Sequence, residues 1–346
     1  MKKILTYSEP LRAEIKKTIR NERGKAGQSI SWRADFLERL APYATTGKLL
    51  RGNLICFSFR IFSGREPDQS VIDVAVALEL MHSALLIHDD VMDNDEYRRG
   101  KPSMHTQYVR VGTDHKLVEL ERFGSNMAIC GADLCLFIAF GLLADKPSVI
   151  GQLFSTALIE VCDGQMQDIY YQSAMARPSK KAIYDLMRTK TASYTLSLPL
   201  MVGASLAGQP SKTLNDLRRI GNAAGLIYQI RDDELGTLGD TSKTGKPVGA
   251  DIREGKKTLL YYYLMKRCGG QTRSELEEIF GNQNIGNAEI VQVQKLIRQH
   301  GIPALLSSDI RVQERMALDS LTKLDISKSD EAELRSMIAF CAKRRA

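Results

Sequence analysis

Apolar residues return along most of this chain at helical intervals of three and four, and almost nowhere in strict alternation. The strongest stretch runs from Val71 to Val91, where apolar positions wrap nearly the whole circumference, as a central helix requires. Ala128 to Ala144, Ser148 to Tyr170, Ala182 to Thr189 and Leu214 to Leu235 read the same way. Ser148, directly after Pro147, is a helix start, and the glycine–proline stretches at 100–102 and 245–247 mark loops. There is no hairpin signature, repeat or low-complexity tract. The pattern predicts an all-α fold, a helical bundle with a central apolar cavity, in a single domain over 1–346.

Two acidic patches interrupt this apolar pattern: Asp89-Asp90-Val91-Met92-Asp93 and Asp232-Asp233-Glu234-Leu235-Gly236. Asp89 and Asp93 are four apart, so on a helix both carboxylates leave one face. Clustered anions repel each other and lose hydration when buried, which calls for a cation. Hard oxygen ligands in such pairs suit Mg²⁺, which keeps several waters and bridges to substrate phosphates. A solvated helix face is the plainer alternative, but the run from Val74 to Ile87 reads as core.

Cations cluster around these patches. Arg98 and Arg99 follow the first and are placed to hold phosphate through fork-like hydrogen bonds. Lys48 and Arg51 are three apart. With His82, two turns before Asp89, they form a second anion pocket that lacks aspartates and so needs no metal. Gln229 shares a helix face with Asp232, while Lys246 and Lys256 lie in glycine-rich segments that let backbone and ammonium approach phosphate. Lys190 and Thr191 add polar groups to a helix that otherwise looks buried; alone, Lys190 would read as a surface lysine.

Composition narrows the partners. The chain has 346 residues, 43% of them apolar, with a formal charge of +7. That charge favours anionic partners, but the basic residues are dispersed and no nucleic-acid-binding motif is present, so phosphorylated small molecules fit better. No run approaches about 18 consecutive apolar residues, so no membrane span is expected. The apolar stretch after Met1-Lys2-Lys3 stops too soon for a signal peptide, which predicts a cytoplasmic protein. Six cysteines without CxxC spacing read as reduced thiols, mostly buried.

Together these residues resemble the trans-isoprenyl diphosphate synthases of the polyprenyl synthetase family. The resemblance rests on GKxxR, ExxHxxxLxHDDxxD, RRGxP, GQxxD, KTA, GxxxQxxDD and GKPxGxDxxEGK, in that order. It implies an isoprenoid synthase fold, a homodimer, and two acidic motifs facing each other across a deep apolar tunnel. It further implies that Asp89, Asp93 and Asp232 hold three Mg²⁺ ions on an allylic diphosphate, with Arg98, Lys190, Lys246 and Lys256 completing its charge cage. Lys48, Arg51, His82 and Arg99 would bind isopentenyl diphosphate, and Thr191 and Gln229 would lie against the substrates.

In that family the residues four and five before the first aspartate form the tunnel floor. Here they are Leu85 and Ala84, neither aromatic, with Met81 one turn below. The resemblance thus implies a C20 product, geranylgeranyl diphosphate, with C25 or longer, or C15, as alternatives. Gly236 departs from the pattern, since the second motif usually ends in aspartate. A terpene cyclase would not need the Lys48–Arg51–His82 pocket, and a catalytically silent partner subunit would lose the aspartates this chain keeps. An HD phosphohydrolase needs metal-ligand histidines that five histidines do not supply.

Overall fold

The computed structural model describes residues 3–25, 32–173, 176–239 and 249–343. In chain order the helices are α1 (Ser8–Gly24), α2 (Trp32–Ala44), α3 (Leu50–Ser63), α4 (Gln69–Met92), α5 (Met104–Asp114), α6 (Leu120–Leu143), α7 (Ser148–Ser173) and α8 (Lys180–Met187). A π-helical segment (Arg188–Ser197) leads into α9 (Leu198–Leu206) and α10 (Ser211–Leu238). Then come α11 (Ala250–Arg253), α12 (Leu259–Arg267), α13 (Gly270–Ile279), α14 (Asn287–Gln299), α15 (Ile302–Leu321) and α16 (Lys328–Lys343). The all-α fold expected from the periodicity is present. The chain divides into two compact units, Met1–Gln152 with Met201–Pro210, and Leu153–Leu200 with Ser211–Ala346.

In the first unit α4 is the core element. Asp68 caps its start, the carboxylate accepting from the Val71 amide at 3.0 Å. Val74 through Met81 are all buried, so no face of this stretch meets solvent, and α4 packs against α1, α2, α3, α5 and α6. By length and composition α4 and α6 could each cross a membrane, although charged and polar residues break any continuous apolar run. For α4 that composition serves the core, where 67% of its most apolar window is buried. On α6, Ile129, Phe137 and Phe140 form an exposed stripe at intervals of eight and three.

The second unit is organised on α10, whose Leu217, Ile220, Ala224 and Ile227 are buried against the π segment, α15 and α16. The stretch from Ala182 to Thr189 is therefore not one α-helix: α8 stops at Met187 and the chain widens into ten π-helical residues. Periodicity cannot separate the two, because a π segment holds its side chains at nearly helical spacing. Small residues let it dock. A Cβ on Gly164 would sit 2.6 Å from the Lys190 amide nitrogen, and one on Gly225 would sit 2.5 Å from the Ala192 Cβ.

The connector at 100–102 is also more than a loop. Tyr97–Arg98 (β1) and Lys101–Pro102 (β2) pair antiparallel about Arg99-Gly100, both at positive φ, the arrangement of a two-residue primed turn. Two residues a side are too few to alternate visibly, which is why this hairpin leaves no trace in the hydrophobic pattern.

Candidate active site

The first acidic patch closes α4. Asp93 is the C-cap, its amide donating to the Asp89 carbonyl at 2.8 Å, so the two carboxylates stand one turn apart on one face. Three aspartates at a helix C-terminus oppose the macrodipole, whose negative end lies there. Asp90, between them, is fully buried and points the other way. It accepts from Arg98 Nε at 2.6 Å and from the Tyr43 hydroxyl at 3.1 Å. Arg98 also reaches Asp89 at 3.5 Å and Asp95 at 3.2 Å. Burial raises the Asp90 carboxyl and Arg98 opposes that rise. Arg98 itself is held firmly charged, because its carboxylate neighbours outweigh the cost of burying it.

The primed turn carries Arg99 away from Arg98, and its Nη1 donates to the Thr46 carbonyl at 2.5 Å. Gly47 lies under this guanidinium, where a Cβ would come within 3.1 Å of Nη1. Leu49 then takes a left-handed turn at φ 47°, which leaves Lys48 exposed and puts Arg51 in the first turn of α3. Leu49, Asn94 and Arg99 are all non-glycine residues at positive φ beside the predicted site residues, the kind of backbone strain that clusters at functional sites. His82 faces this group: burial first, then the charges of Arg51, Arg99 and Arg98, push its ring well below the ordinary 6.5, so it is neutral. Glu79, one turn back and buried, accepts from the Gly52 amide at 2.7 Å. The structure therefore brings Arg51 and Arg99 to His82, with Lys48 at the adjoining turn, and adds Arg98, which the resemblance places with Lys190, Lys246 and Lys256. A cavity of about 440 Å³ opens beside them, lined among others by Tyr43, Arg98, Arg99, Lys101 and Arg110. Of the three chain-length positions, Met81 and Ala84 are buried and Leu85 is half-buried.

In the second unit the second patch lies in the last two turns of α10, again at a negative helix end. Gln229 Nε2 donates to Asp233 Oδ1 at 2.7 Å, one turn along. The Asp233 carboxyl is pushed well above the usual carboxylate range, first by burial and next by the charge of Asp251, with Asp232 adding and Lys256 opposing. Lys256 sits 2.5 Å from Glu254 and 3.7 Å from Asp251. On the π segment, Lys190 pairs with Asp168 of α7 at 2.5 Å, and Thr191 follows it. Lys246 lies outside the described residues.

Among the described residues no three acidic, histidine or cysteine side chains close into a metal cage. Mg²⁺ dehydrates reluctantly and takes one or two carboxylates, waters and substrate phosphates instead of an all-protein shell. The donors at the end of α4, and separately those at the end of α10, are carboxylate oxygens, which suit such an ion. Tyr43, Glu79 and Asp251 escaped the sequence reading. Glu79 and Asp251 fall inside two quoted motifs without an assigned role, whereas Tyr43, 47 residues from Asp90, leaves no local signal.

The sequence profile of the polyprenyl synthetase family matches residues 34–297. The chain is 33% identical over 257 residues to short chain isoprenyl diphosphate synthase of Methanocaldococcus jannaschii, covering 73% of this chain and 72% of that protein. It is 29% identical over 301 residues to geranylfarnesyl diphosphate synthase of Aeropyrum pernix, covering 84% and 88%. Among solved structures it is similar to geranylgeranyl pyrophosphate synthase from Corynebacterium glutamicum, complexed with isoprenyl diphosphate and magnesium. That match has a TM-score of 0.92 and 28% identity, over 98% of this chain and 99% of that one. With the motifs in order and this fold around them, the chain belongs to the polyprenyl synthetase family and is a polyprenyl diphosphate synthase, an enzyme of the prenyltransferase class.

Proposed function

We propose that this chain condenses isopentenyl diphosphate with an allylic diphosphate, in trans, and stops at C20, geranylgeranyl diphosphate. The observation that carries the reading is the group of carboxylates about Asp233, a buried acid pressed by Asp251 and Asp232, which a divalent cation would relieve. Asp89, Asp93 and Asp232 are the metal ligands in this reading, with three Mg²⁺ ions per site. Bound Mg²⁺ supplies the charge that turns an allylic diphosphate into a leaving group.

The chain's own residues bind and orient. Arg98, Lys190, Lys246 and Lys256 carry charge to the allylic diphosphate. Lys48, Arg51 and Arg99 hold isopentenyl diphosphate, and neutral His82 gives it a hydrogen bond and no charge. Gln229, fixed on Asp233, and Thr191 lie against the substrates. The allylic C–O bond breaks with its electron pair leaving on diphosphate. The π pair of isopentenyl diphosphate forms the new C–C bond, and a proton passes to the released diphosphate, so no protein nucleophile is required.

Product length rests on Ala84 and Met81, small and flexible side chains where a bulky one would halt growth early. The same reading takes 1–346 as one synthase domain, since the profile match crosses the boundary between the two units. The exposed α6 stripe of Ile129, Phe137 and Phe140 supports a homodimer. Six free thiols support a cytoplasmic setting.

Incubating the protein with Mg²⁺, labelled isopentenyl diphosphate and each allylic starter, then separating the dephosphorylated products, tests the reading. A C20 product that vanishes with chelator is expected, and Ala84→Phe should shorten it towards C15. No product from any starter would refute the activity. A wild type that stops at C15, or an Ala84→Phe variant with unchanged products, would refute the account of length.

A further inference from the structure

Between α2, which ends at Ala44, and α3, which starts at Leu50, the residues from Thr45 to Leu49 carry the chain past Lys48. Backbone outside helix and sheet must find other donors or leave its carbonyls unsatisfied. Here every carbonyl from Thr45 to Leu49 accepts from a side chain. Arg99 donates to that of Thr46. Asn53 Nδ2 reaches those of Lys48 and Leu49 at 3.1 and 2.7 Å, and the Ser8 hydroxyl donates to that of Lys48 at 3.4 Å. Asn53 is buried, its Oδ1 accepting from the Tyr7 amide at 3.0 Å. The remaining two carbonyls go to one guanidinium, that of Arg12 on α1. Its Nε donates to Thr45 at 3.1 Å and its Nη2 to Gly47 at 2.5 Å. Arg12 and Arg99 thus hold alternate carbonyls of one loop. Gly47 at φ 99° and Leu49 at φ 47° are conformations that such contacts must maintain.

We propose that Arg12 is a positioning residue for the isopentenyl diphosphate site. By holding the Thr45 and Gly47 carbonyls it fixes the backbone from which Lys48 extends and on which Arg99 rests, without touching substrate itself. The inference rests on the reading of Lys48 and Arg99 as isopentenyl diphosphate ligands. Two carbonyls two residues apart suit the rigid fork of a guanidinium, and a single ammonium cannot span them in the same way. The N-terminal helix is in this role part of the substrate site, because preformed ligand geometry depends on the groups that support it.

The test is steady-state kinetics of the full-length protein with Mg²⁺, varying each diphosphate substrate in turn, alongside thermal melting of each variant. Arg12→Met should raise KM for isopentenyl diphosphate about fivefold, with kcat and the allylic KM within about twofold of wild type. Arg12→Lys keeps the charge and the aliphatic stem, so it carries the test should Arg12→Met fold poorly, and it should show the same split. Combining Arg12→Met with Lys48→Ala should cost less than the product of the two single effects, because Arg12 acts through the loop that carries Lys48. Wild-type KM in both Arg12 variants, equal rises for both substrates, or a lower melting temperature with unchanged kinetics would overturn the inference. Arg12→Lys matching wild type while Arg12→Met does not would also overturn it, since charge alone would then suffice. A fully multiplicative double variant would do the same. Those outcomes leave the substrate reading standing, whereas an unchanged KM for isopentenyl diphosphate in Lys48→Ala would overturn both.

Discussion

The two acidic motifs share a layout and differ in their charge. In each, the first aspartate leaves the helix beside a second whose carboxyl is desolvated and pinned. Asp90 is pinned by a cation, Arg98, with Tyr43 assisting. Asp233 is pinned by a neutral amide, Gln229, and feels two further carboxylates. The cationic character extends past Asp90 to His82, which burial first and then the charges of Arg51, Arg99 and Arg98 hold uncharged. A buried carboxylate with an arginine on it is a finished structural unit. A buried carboxylate among its own kind is poised for a cation from solution. The contrast lies at the second aspartate of each motif: Asp90 is closed in a built-in ion pair and Asp233 is not, while the first aspartate, Asp89 or Asp232, is the proposed metal ligand in both.

The largest effect should come from removing the half-buried proposed ligand on either side. Asp89→Ala and Asp232→Ala should each lower kcat by about a thousandfold, roughly 4 kcal/mol, at saturating Mg²⁺. Steady-state rates that stay near wild type in either variant would break the assignment on that side. Next, Lys48→Ala and Arg51→Ala remove charged contacts on the cationic side, each worth about 1.5–3 kcal/mol. KM for isopentenyl diphosphate should rise at least tenfold with the allylic KM little changed; equal shifts in both would show that the cations are divided wrongly.

A smaller effect comes from His82. Its folded value lies below 6.5, so its contribution to stability is complete above pH 6.5 and is lost as pH falls below it, because the unfolded chain takes up the proton first. About 1.4 kcal/mol per pH unit is at stake until the folded value is reached. Melting at pH 5.5 and 7.5 should show His82→Gln losing less stability than wild type on acidification. An unchanged loss would mean that neither burial nor the charges of Arg51, Arg99 and Arg98 lower the ring.

The long elements were legible because burial writes a period into the chain. Val71–Val91 and Leu214–Leu235 lie within α4 and α10, each of which extends two or three residues beyond at its start. The site residues were legible where chemistry repeats at one helical turn, as in Asp89 and Asp93. What stayed hidden depends on contacts between distant residues or on backbone sign. Tyr43 meets Asp90 only once α2 packs on α4, and Arg99 faces Thr46 only because a primed turn reverses the chain. The π segment hid inside an ordinary apolar pattern. Gly236 stood out as a departure, but only the fold shows the Asp251 carboxylate lying against it.

The most direct test of this contrast neutralises one charge on each side in the metal-free protein and compares melting at neutral pH. Arg98→Met leaves Asp90 buried without its cation and should destabilise by about 3–5 kcal/mol. Asp233→Asn keeps an acceptor for Gln229 while removing a carboxyl whose ionisation burial first, then Asp251 and Asp232, disfavour, and should stabilise by about 1 kcal/mol. Opposite signs are the predicted result. A loss of stability in both variants would contradict the account, since it would make Asp233 a satisfied buried carboxylate like Asp90.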